Sequence, residues 1–369
     1  MDDMSNSFLS AYRQTVTDCL ANDFSDNWDF RRFGAEIELP SQSIQQNIKQ
    51  QIKRLLAAIG LYKPLLGKNT VESNIESFEW LYQHLADSES KQILVQLLAY
   101  RSLGHRRVKL PLNNPDYWGA IEKLERLAVG AESINLGFNG FRASRMDLAS
   151  IGYPVKLFYV PFAVIYVFVL QQYRCKTSDA VIEVAENDTV IDAGACYGDT
   201  ALYFAHKAGK NGKVYSCEFL PGNLTIFNRN MALNAELAGR IKLVEQPLWS
   251  KSGEQLFVEG NGPGTRVVTN PNNPDAEPIK TQAIDDLVRN EKMGQVDFIK
   301  MDIEGAELEA LKGAENTIRQ FRPKLAISVY HKFEDFWTIP QYIDSLGLGY
   351  RFSLRHFTIH QEETVLFAY

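Results

Sequence analysis

The sequence predicts an α/β protein, with a mostly parallel sheet in its C-terminal half and a mainly helical domain before it. From Val181 onward, short apolar runs alternate with helical segments, as they do when crossover helices join parallel strands. Before residue 150, apolar residues recur at helical spacing instead. The run Thr189–Ile191 leads straight into a glycine-containing turn and then a helical pattern. These three observations place the helical domain at residues 1–150 and the α/β domain at 181–369.

Four apolar stripes at helical spacing define the N-terminal domain. They are Ile44, Ile48, Ile52, Leu55, Leu56 and Ile59; Ile75, Phe78, Leu81 and Leu85; Ile93, Leu94, Leu97 and Leu98; and Trp118, Ile121, Leu124 and Leu127. Stripes of this kind are the buried faces of packed helices. The role of the domain stays open between substrate selection, dimerisation and simple packing.

Residues 151–180 are predicted to connect the two domains. Their apolar run, Tyr159–Leu170, is about a dozen residues long, short of the ~20 that a membrane-spanning helix requires. We expect a buried helix or strand here, and no membrane span.

The α/β domain is predicted to contain five strands in crossover order, followed by a terminal pair. The strands are Thr189–Ala193, Lys213–Glu218, Ile241–Glu245, Val296–Met301 and Lys324–Tyr330, and the pair is Tyr350–Arg355 with Glu363–Ala368. Helices are expected through Tyr203 and His206, from Asn223 to Leu233, and over Phe336–Leu346. The Gly/Pro/Asn-rich stretch Gly260–Pro278 is too long for a simple connection and is a candidate substrate lid.

The turn after the first strand indicates the class of ligand. Gly194 allows a tight turn, and Gly198 lets a helix begin close to a ligand. A dinucleotide fold usually has a further glycine where this chain has Ala195, because its turn approaches a pyrophosphate. Asp192 would repel a pyrophosphate but attract an ammonium group. S-adenosylmethionine carries an ammonium and a sulfonium, so it suits this turn better than a dinucleotide.

A second acidic residue supports a nucleoside ligand. Glu218 follows Asp192 by 26 residues, at the end of the second strand, where a carboxylate accepts hydrogen bonds from ribose hydroxyls. Asn223 begins the next helix, and Gln246 follows the third strand. The predicted cofactor-binding residues are Asp192, Gly194, Ala195, Tyr197, Gly198, Asp199, Thr200, Glu218, Asn223 and Gln246.

The stretch from Val181 to Tyr369, about half of the chain, resembles the FkbM family of S-adenosylmethionine-dependent methyltransferases. The resemblance is carried by Asp192–Thr200, Glu218–Pro221, Asp297–Glu307, Tyr330–Lys332 and Glu363–Phe367. It implies a Rossmann-like methyltransferase fold, a mostly parallel seven-stranded sheet with a terminal antiparallel hairpin. It also implies O-methylation, often of sugars or of glycosylated and polyketide-like products.

Methyl transfer to an alcohol benefits from a general base, because a neutral hydroxyl is a poor nucleophile. His331 directly follows the fifth strand and is the first candidate, and Glu304 is the second. Asp302 is expected to orient the cofactor or the acceptor. A divalent metal held by Asp302, Glu304 and His331 is a further option, since Mg²⁺ or Mn²⁺ accepts oxygen and imidazole ligands. His356 and His360 are assigned edge or surface roles rather than metal binding.

Composition fits an ordinary globular enzyme. The chain has 369 residues, 45% of them hydrophobic and 23% charged. Its net charge of −6 argues against a general nucleic-acid surface. Its four cysteines show no metal-ligand spacing, which predicts reduced thiols and a cytoplasmic protein. Two alternatives stay open: an NAD(P)-dependent oxidoreductase, and an inactive binding protein that keeps the fold.

Overall fold

The computed structural model describes residues 7–34, 70–137, 140–259, 264–269 and 278–369. The chain divides into two compact units. The first comprises Met1–Tyr117 and Ser353–Thr364, and the second comprises Trp118–Phe352 and Val365–Tyr369. The predicted stripe from Ile44 to Ile59 lies outside the described residues.

The first unit is helical, as its apolar stripes predict. Its described α-helices are α1 (Phe8–Cys19), α2 (Phe30–Phe33), α3 (Ile75–His84) and α4 (Ser88–Leu103). The Ser7 and Asp87 side chains cap α1 and α4 by accepting backbone N–H groups of the first turn, which otherwise lack partners. The Phe8 and Phe78 rings pack 5.6 Å apart in the core of this unit.

The first unit also contains the tip of the predicted C-terminal hairpin. Ser353 donates a hydrogen bond to the Asp87 carboxylate at 2.7 Å. Nε2 of the buried His360 accepts the Asp29 N–H at 3.0 Å, so its proton lies on Nδ1, 2.5 Å from the Tyr100 hydroxyl. Burial lowers the pKa of His360 to about 4. These contacts give His360 a structural role.

The second unit holds most of the described strands, whereas the strand Phe352–His356 belongs to the first unit from Ser353 onward. The strands, numbered along the whole chain, are β1 (Ser133–Asn135), β2 (Arg142–Asp147), β3 (Lys156–Tyr159), β4 (Cys175–Lys176), β5 (Val181–Ile182), β6 (Thr189–Ala193), β7 (Lys213–Cys217), β8 (Ile241–Val244), β9 (Gln255–Glu259), β10 (Arg266–Val268), β11 (Pro278–Lys280), β12 (Phe298–Met301), β13 (Lys324–Ser328), β14 (Phe352–His356) and β15 (Thr364–Ala368). The remaining described α-helices are α5 (Pro115–Leu127), α6 (Asp199–Lys207), α7 (Pro221–Leu233), α8 (Ala235–Ala238), α9 (Ile284–Asn290), α10 (Glu307–Lys312), α11 (Glu315–Phe321) and α12 (Asp335–Ser345).

The main sheet has seven strands in the order β14-β15-β13-β12-β6-β7-β8. Five consecutive strands of this order are parallel to one another, namely β13, β12, β6, β7 and β8. β15 runs antiparallel to β13. The predicted mostly parallel seven-stranded sheet with its terminal antiparallel pair is therefore confirmed. The central strands, β12 and β6, are buried along their length except at Thr189, which explains why they appear in the sequence as nearly continuous apolar runs.

The structure differs from the sequence prediction between residues 118 and 160. The first unit ends at Tyr117 rather than near residue 150, and β1, β2 and β3 form an antiparallel sheet within the second unit. β1 and β3 are only three and four residues long, too short for a clear alternation of apolar and polar residues. Asn230 of α7 bonds both the N–H and the carbonyl of Phe158 and so satisfies backbone groups of β3.

The apolar run Tyr159–Leu170 is buried from Val164 to Phe168, whereas Val169 is exposed. Ile165–Val169 forms one turn of π-helix, and its first four residues are buried. Within the described parts of the chain, no helix combines the length and the apolar character that crossing a membrane requires.

Most of the candidate lid, Gly260–Pro278, lies outside the described residues. The described part includes β10, which pairs antiparallel with β9, and Pro278 begins β11 on the other edge of β9. This part is therefore sheet, where the sequence indicates a loop.

Candidate functional site

The carboxyl ends of β6, β7, β12 and β13 lie side by side, because these strands run parallel. In open α/β sheets, ligands bind beyond this edge. The predicted site residues follow these strands in the chain, and all of them belong to the second unit.

The glycine turn after β6 is shaped by a close approach to β12. Gly194 has a φ of +83°, a left-handed conformation that side chains rarely adopt. A Cβ at Gly194 would lie 1.9 Å from the Asp302 carbonyl oxygen, so a side chain is excluded by neighbouring backbone. The N–H groups of Gly194 and Ala195 bond the Cys217 carbonyl at 3.1 and 3.0 Å, which fixes the turn against the end of β7.

Gly198 permits the start of α6 for a similar reason. Its φ is +83°, and a Cβ there would lie 2.8 Å from the Met231 side chain and 2.9 Å from the Phe227 ring. Between the two glycines, the Tyr197 side chain is buried against Phe158 and Ile226. Tyr197 thus packs the turn onto the protein.

Asp192, a predicted cofactor-binding residue, is completely buried. Its carboxylate accepts the Thr200 hydroxyl at 2.9 and 3.0 Å and the Ser216 hydroxyl at 3.2 Å. Its cationic partner is Lys300, whose Nζ lies 3.2 Å from Asp192 Oδ1. The ammonium that Asp192 attracts is therefore supplied by the protein itself. Asp192 and Thr200 thus support the turn from within.

Lys300 is 1% exposed and was not singled out in the sequence. It faces Asp192 across the β12–β6 pair. Its Nζ donates to the carbonyls of Ala193 and Gly194, at 3.0 and 2.5 Å, and lies 5.4 Å from the centre of the Tyr173 ring. Burial opposes the charge of Lys300, but the surrounding aspartates raise its pKa above the usual value. This buried cation neutralises Asp192 and holds the first carbonyls of the turn.

Asp199 begins α6 and is also buried. Burial and the Asp192 charge raise the pKa of Asp199 to about 7, while Lys300 and the Tyr159 hydroxyl oppose the rise. Near neutral pH this carboxyl group therefore carries a proton part of the time, which limits the negative charge beneath the turn.

Glu218 lies at the end of β7 and is held by local donors. Its Oε1 accepts the backbone N–H groups of Phe219 and Leu220 at 2.7 and 2.8 Å. Its Oε2 accepts the Asn223 amide at 3.0 Å. Burial raises the pKa of Glu218, and these donors oppose the rise. The carboxylate is fixed in one orientation, and Oε2 has fewer donors than Oε1. Gln246 is half-buried and follows β8, the strand next to β7.

A cluster of three acids and one histidine, which we call the acid cluster, follows β12 and β13: Asp302, Glu304, Glu307 and His331. Nε2 of His331 lies 3.3 Å from Asp302 Oδ1 and 3.6 Å from Glu304 Oε2. Nδ1 of His331 lies 2.9 Å from Oε1 of Glu307, which is fully buried. The side chains of Asp302 and Glu304 are 20% and 32% exposed, so they form the accessible side of the cluster.

The carboxylates around His331 favour its charged form, which weighs against its predicted role as a base. Burial disfavours the imidazolium, but Glu307, with Asp302 and Glu304, outweighs burial and raises the pKa of His331 to about 10. A protonated imidazole has no lone pair with which to accept a proton. Conversely, burial opposes ionisation of Glu307, but His331 lowers its pKa below the usual value.

The chain makes an unusual turn to place Glu304 beside His331. Glu304 has a φ of +55° and Gly305 a φ of +91°. The left-handed region is costly for a residue with a side chain, and such residues concentrate at functional sites. The Lys332 ammonium bonds the Gly305 carbonyl and so holds this turn against the segment after β13.

Two tyrosines that the sequence did not assign to the site orient Asp302. The Tyr173 hydroxyl donates to Oδ2 and the Tyr330 hydroxyl to Oδ1, each at 3.1 Å. Tyr330 adjoins His331 in the chain and was within reach of sequence reasoning. Tyr173 follows the apolar run before β4, and nothing in its sequence context indicates a site.

The proposed metal ligands meet only in part. Asp302, Glu307 and His331 each offer an atom within 4.8 Å of the others, so Glu307 stands where the sequence predicted Glu304. The charged imidazole of His331 already supplies a cation among these carboxylates.

Comparison with known proteins agrees with this geometry. Residues 192–352 match the family model of the methyltransferase FkbM domain. Methyltransferase sdnD of Sordaria araneosa is 26% identical over 166 residues, which cover 37% of this chain and 63% of that protein. This chain thus matches less than two thirds of that relative's length.

A solved structure has the same fold. Methyltransferase FkbM from Methylobacillus flagellatus KT superposes with a TM-score of 0.52 at 21% identity, over 93% of this chain and 72% of that one. The resemblance predicted from the sequence is confirmed.

Proposed function

Because residues 192–352 match the family model of the methyltransferase FkbM domain, we propose that the protein transfers a methyl group from S-adenosylmethionine to a hydroxyl of a sugar, a glycan or a glycosylated natural product. The observation that carries the cofactor assignment is Glu218 beside the glycine turn. Its fixed carboxylate, with Oε2 accepting one described donor, suits a ribose diol. The sheet order, with β15 antiparallel, favours this reading over an NAD(P)-dependent oxidoreductase.

The acid cluster supports an oxygen acceptor. Methyl transfer from a sulfonium is an in-line displacement, so the protein mainly positions the acceptor. The hydroxyl proton needs an acceptor as the new C–O bond forms. Glu304 suits this role because it is the most exposed member of the cluster. Charged His331 stays protonated and stabilises the carboxylates around it.

Transfer of a labelled methyl group to a panel of glycans and glycosylated natural products tests the proposal. With an accepted substrate, Glu304→Gln should lower kcat by ~10²–10⁴-fold and leave cofactor affinity nearly unchanged. Glu309→Gln is the matched control, because Glu309 lies on α10 and pairs with Lys312 outside the cluster. Full activity of Glu304→Gln would remove the base assignment.

A chelator separates the metal option from the proton-acceptor option. If activity is lost with EDTA and restored by Mg²⁺ or Mn²⁺, the cluster activates the hydroxyl through a metal. Activity that persists in EDTA supports Glu304 as the proton acceptor. Absence of transfer to every hydroxyl in the panel, with transfer to an amine or thiol instead, would overturn O-methylation.

A further inference from the structure

A ligand with an ammonium group needs a carboxylate near the glycine turn. The acid at the end of β6, Asp192, is fully buried and already paired with Lys300. The same Lys300 ammonium binds the carbonyls of Ala193 and Gly194. A second cation at this position would meet a positive charge and no unshared acceptor. The ligand's ammonium must therefore be received elsewhere.

Asp302 lies directly beside the turn. Its backbone carbonyl is the atom that a Cβ on Gly194 would strike. Its side chain is 20% exposed, in contrast to the completely buried Asp192. Its Oδ1 accepts the Tyr330 hydroxyl and also lies 3.3 Å from His331 Nε2, whereas its Oδ2 accepts the Tyr173 hydroxyl. An ionised carboxylate offers about four acceptor sites, so Oδ2 keeps capacity for a cationic donor.

The other acids of the cluster are less suited to this role. Glu307 is fully buried, and its Oε1 is engaged by the Ile303 N–H at 2.8 Å and by His331. Glu304 lies two residues beyond Asp302 in the chain, after the strand end that touches Gly194. Tyr173 also links Asp302 with Lys300, because its hydroxyl donates to the Asp302 carboxylate and the Lys300 ammonium lies over its ring.

We propose that Asp302, and not Asp192, binds the ammonium group at the amino-acid end of the cofactor. This inference rests on the proposed function, because it takes S-adenosylmethionine as the ligand. Tyr173 and Tyr330 act as positioning residues that hold the carboxylate in place. Lys300 excludes the ligand's ammonium from Asp192 and so directs it to the neighbouring strand.

A cycle of ligands and variants tests the inference by calorimetry, without an acceptor. The ligands are S-adenosylhomocysteine and its deamino analogue, in which hydrogen replaces the α-amino group. Asp302→Asn should weaken binding of S-adenosylhomocysteine by at least ~10-fold, the loss expected for one charge-assisted hydrogen bond. It should leave binding of the deamino analogue within about twofold, because that ligand has no ammonium to lose.

Glu218→Gln is the matched control, because the ribose is the same in both ligands. It should weaken binding of both ligands to the same extent. Tyr330→Phe provides a second test that keeps every charge. It should weaken binding of S-adenosylhomocysteine only, and by a smaller factor than Asp302→Asn does. This variant also covers the case in which Asp302→Asn does not fold.

The outcomes are distinct. If the unaltered protein binds neither ligand, the proposed function fails. Suppose instead that the unaltered protein binds S-adenosylhomocysteine, but Asp302→Asn and Tyr330→Phe either lower the affinity for both ligands equally or leave both affinities unchanged. The proposed function then stands, and the role of Asp302 is overturned.

Discussion

Replacement of Gly194 by alanine should destabilise the protein by an amount that can be divided into two terms. The first is the φ of +83°, which costs a residue with a Cβ ~1–2 kcal/mol. The second is the contact at 1.9 Å with the Asp302 carbonyl oxygen. Ordinary carbon–oxygen contacts are longer than about 3.3 Å, so one strand end must move by more than ~1 Å. Such overpacking costs ~1–3 kcal/mol, which gives a total of ~2–5 kcal/mol.

Two other glycines of the same unit separate these terms. Gly152 has a φ of +95° and open space around its Cβ position, so Gly152→Ala measures backbone strain alone. Gly119 lies within α5 with open space and an ordinary φ, so Gly119→Ala should stabilise by ~0.5–1 kcal/mol.

Chemical denaturation of the three variants gives the free energies of unfolding. Gly194→Ala should also weaken binding of S-adenosylhomocysteine, because the turn and Asp302 move together. Equal losses of stability for Gly194→Ala and Gly152→Ala would refute the close approach of the turn to Asp302.

Two further predictions concern the buried charges. Lys300→Met should cost ~3–5 kcal/mol in the free energy of unfolding, because it leaves Asp192 charged and unpaired in the core. The double variant Lys300→Met with Asp192→Asn should regain part of the lost free energy of unfolding. If it regains none, the ion pair between Lys300 and Asp192 is contradicted. For His331, the raised pKa means that its stabilising contribution is complete below ~6.5, its unfolded value, and is lost as pH rises through about 10. The difference in stability between the unaltered protein and His331→Gln should therefore be largest below pH ~6.5, decline as pH rises, and be nearly gone above about 10. A difference that is independent of pH would argue against the charge.

The sequence was sufficient for the elements whose signals are local. β6 and β12 are apolar runs that end in acids, and parallel strands buried on both faces produce such runs. The sequence places Gly194 in a turn and Glu218 at a strand end because a few neighbouring residues are enough to recognise both features. The mostly parallel sheet followed from the alternation of strands with helices, and its seven strands with a terminal antiparallel pair followed from the family resemblance.

The roles of the charged residues depended on contacts that no short window contains. Lys300 stands in an apolar run, and its pairing with Asp192 follows from the register of β12 against β6. Without that register, Asp192 appeared available to a ligand. His331 was taken for a base because the buried carboxylate of Glu307 behind it could not be placed. Charge states in a core depend on neighbours from several strands, and the sequence does not show them.

The hairpin tip has a consequence for the order in which the protein forms. Ser353–Thr364 belongs to the helical unit, yet the whole of the α/β domain separates it from Tyr117 in the chain. A ribosome therefore releases the helices long before the segment that bonds Asp87 and Tyr100 exists. Domains usually mature in the order of their synthesis. Here the first unit is synthesised first but needs Ser353–Thr364, which are among the last residues of the chain. A fragment that stops before Ser353 therefore lacks part of the first unit and also Val365–Tyr369 of the second.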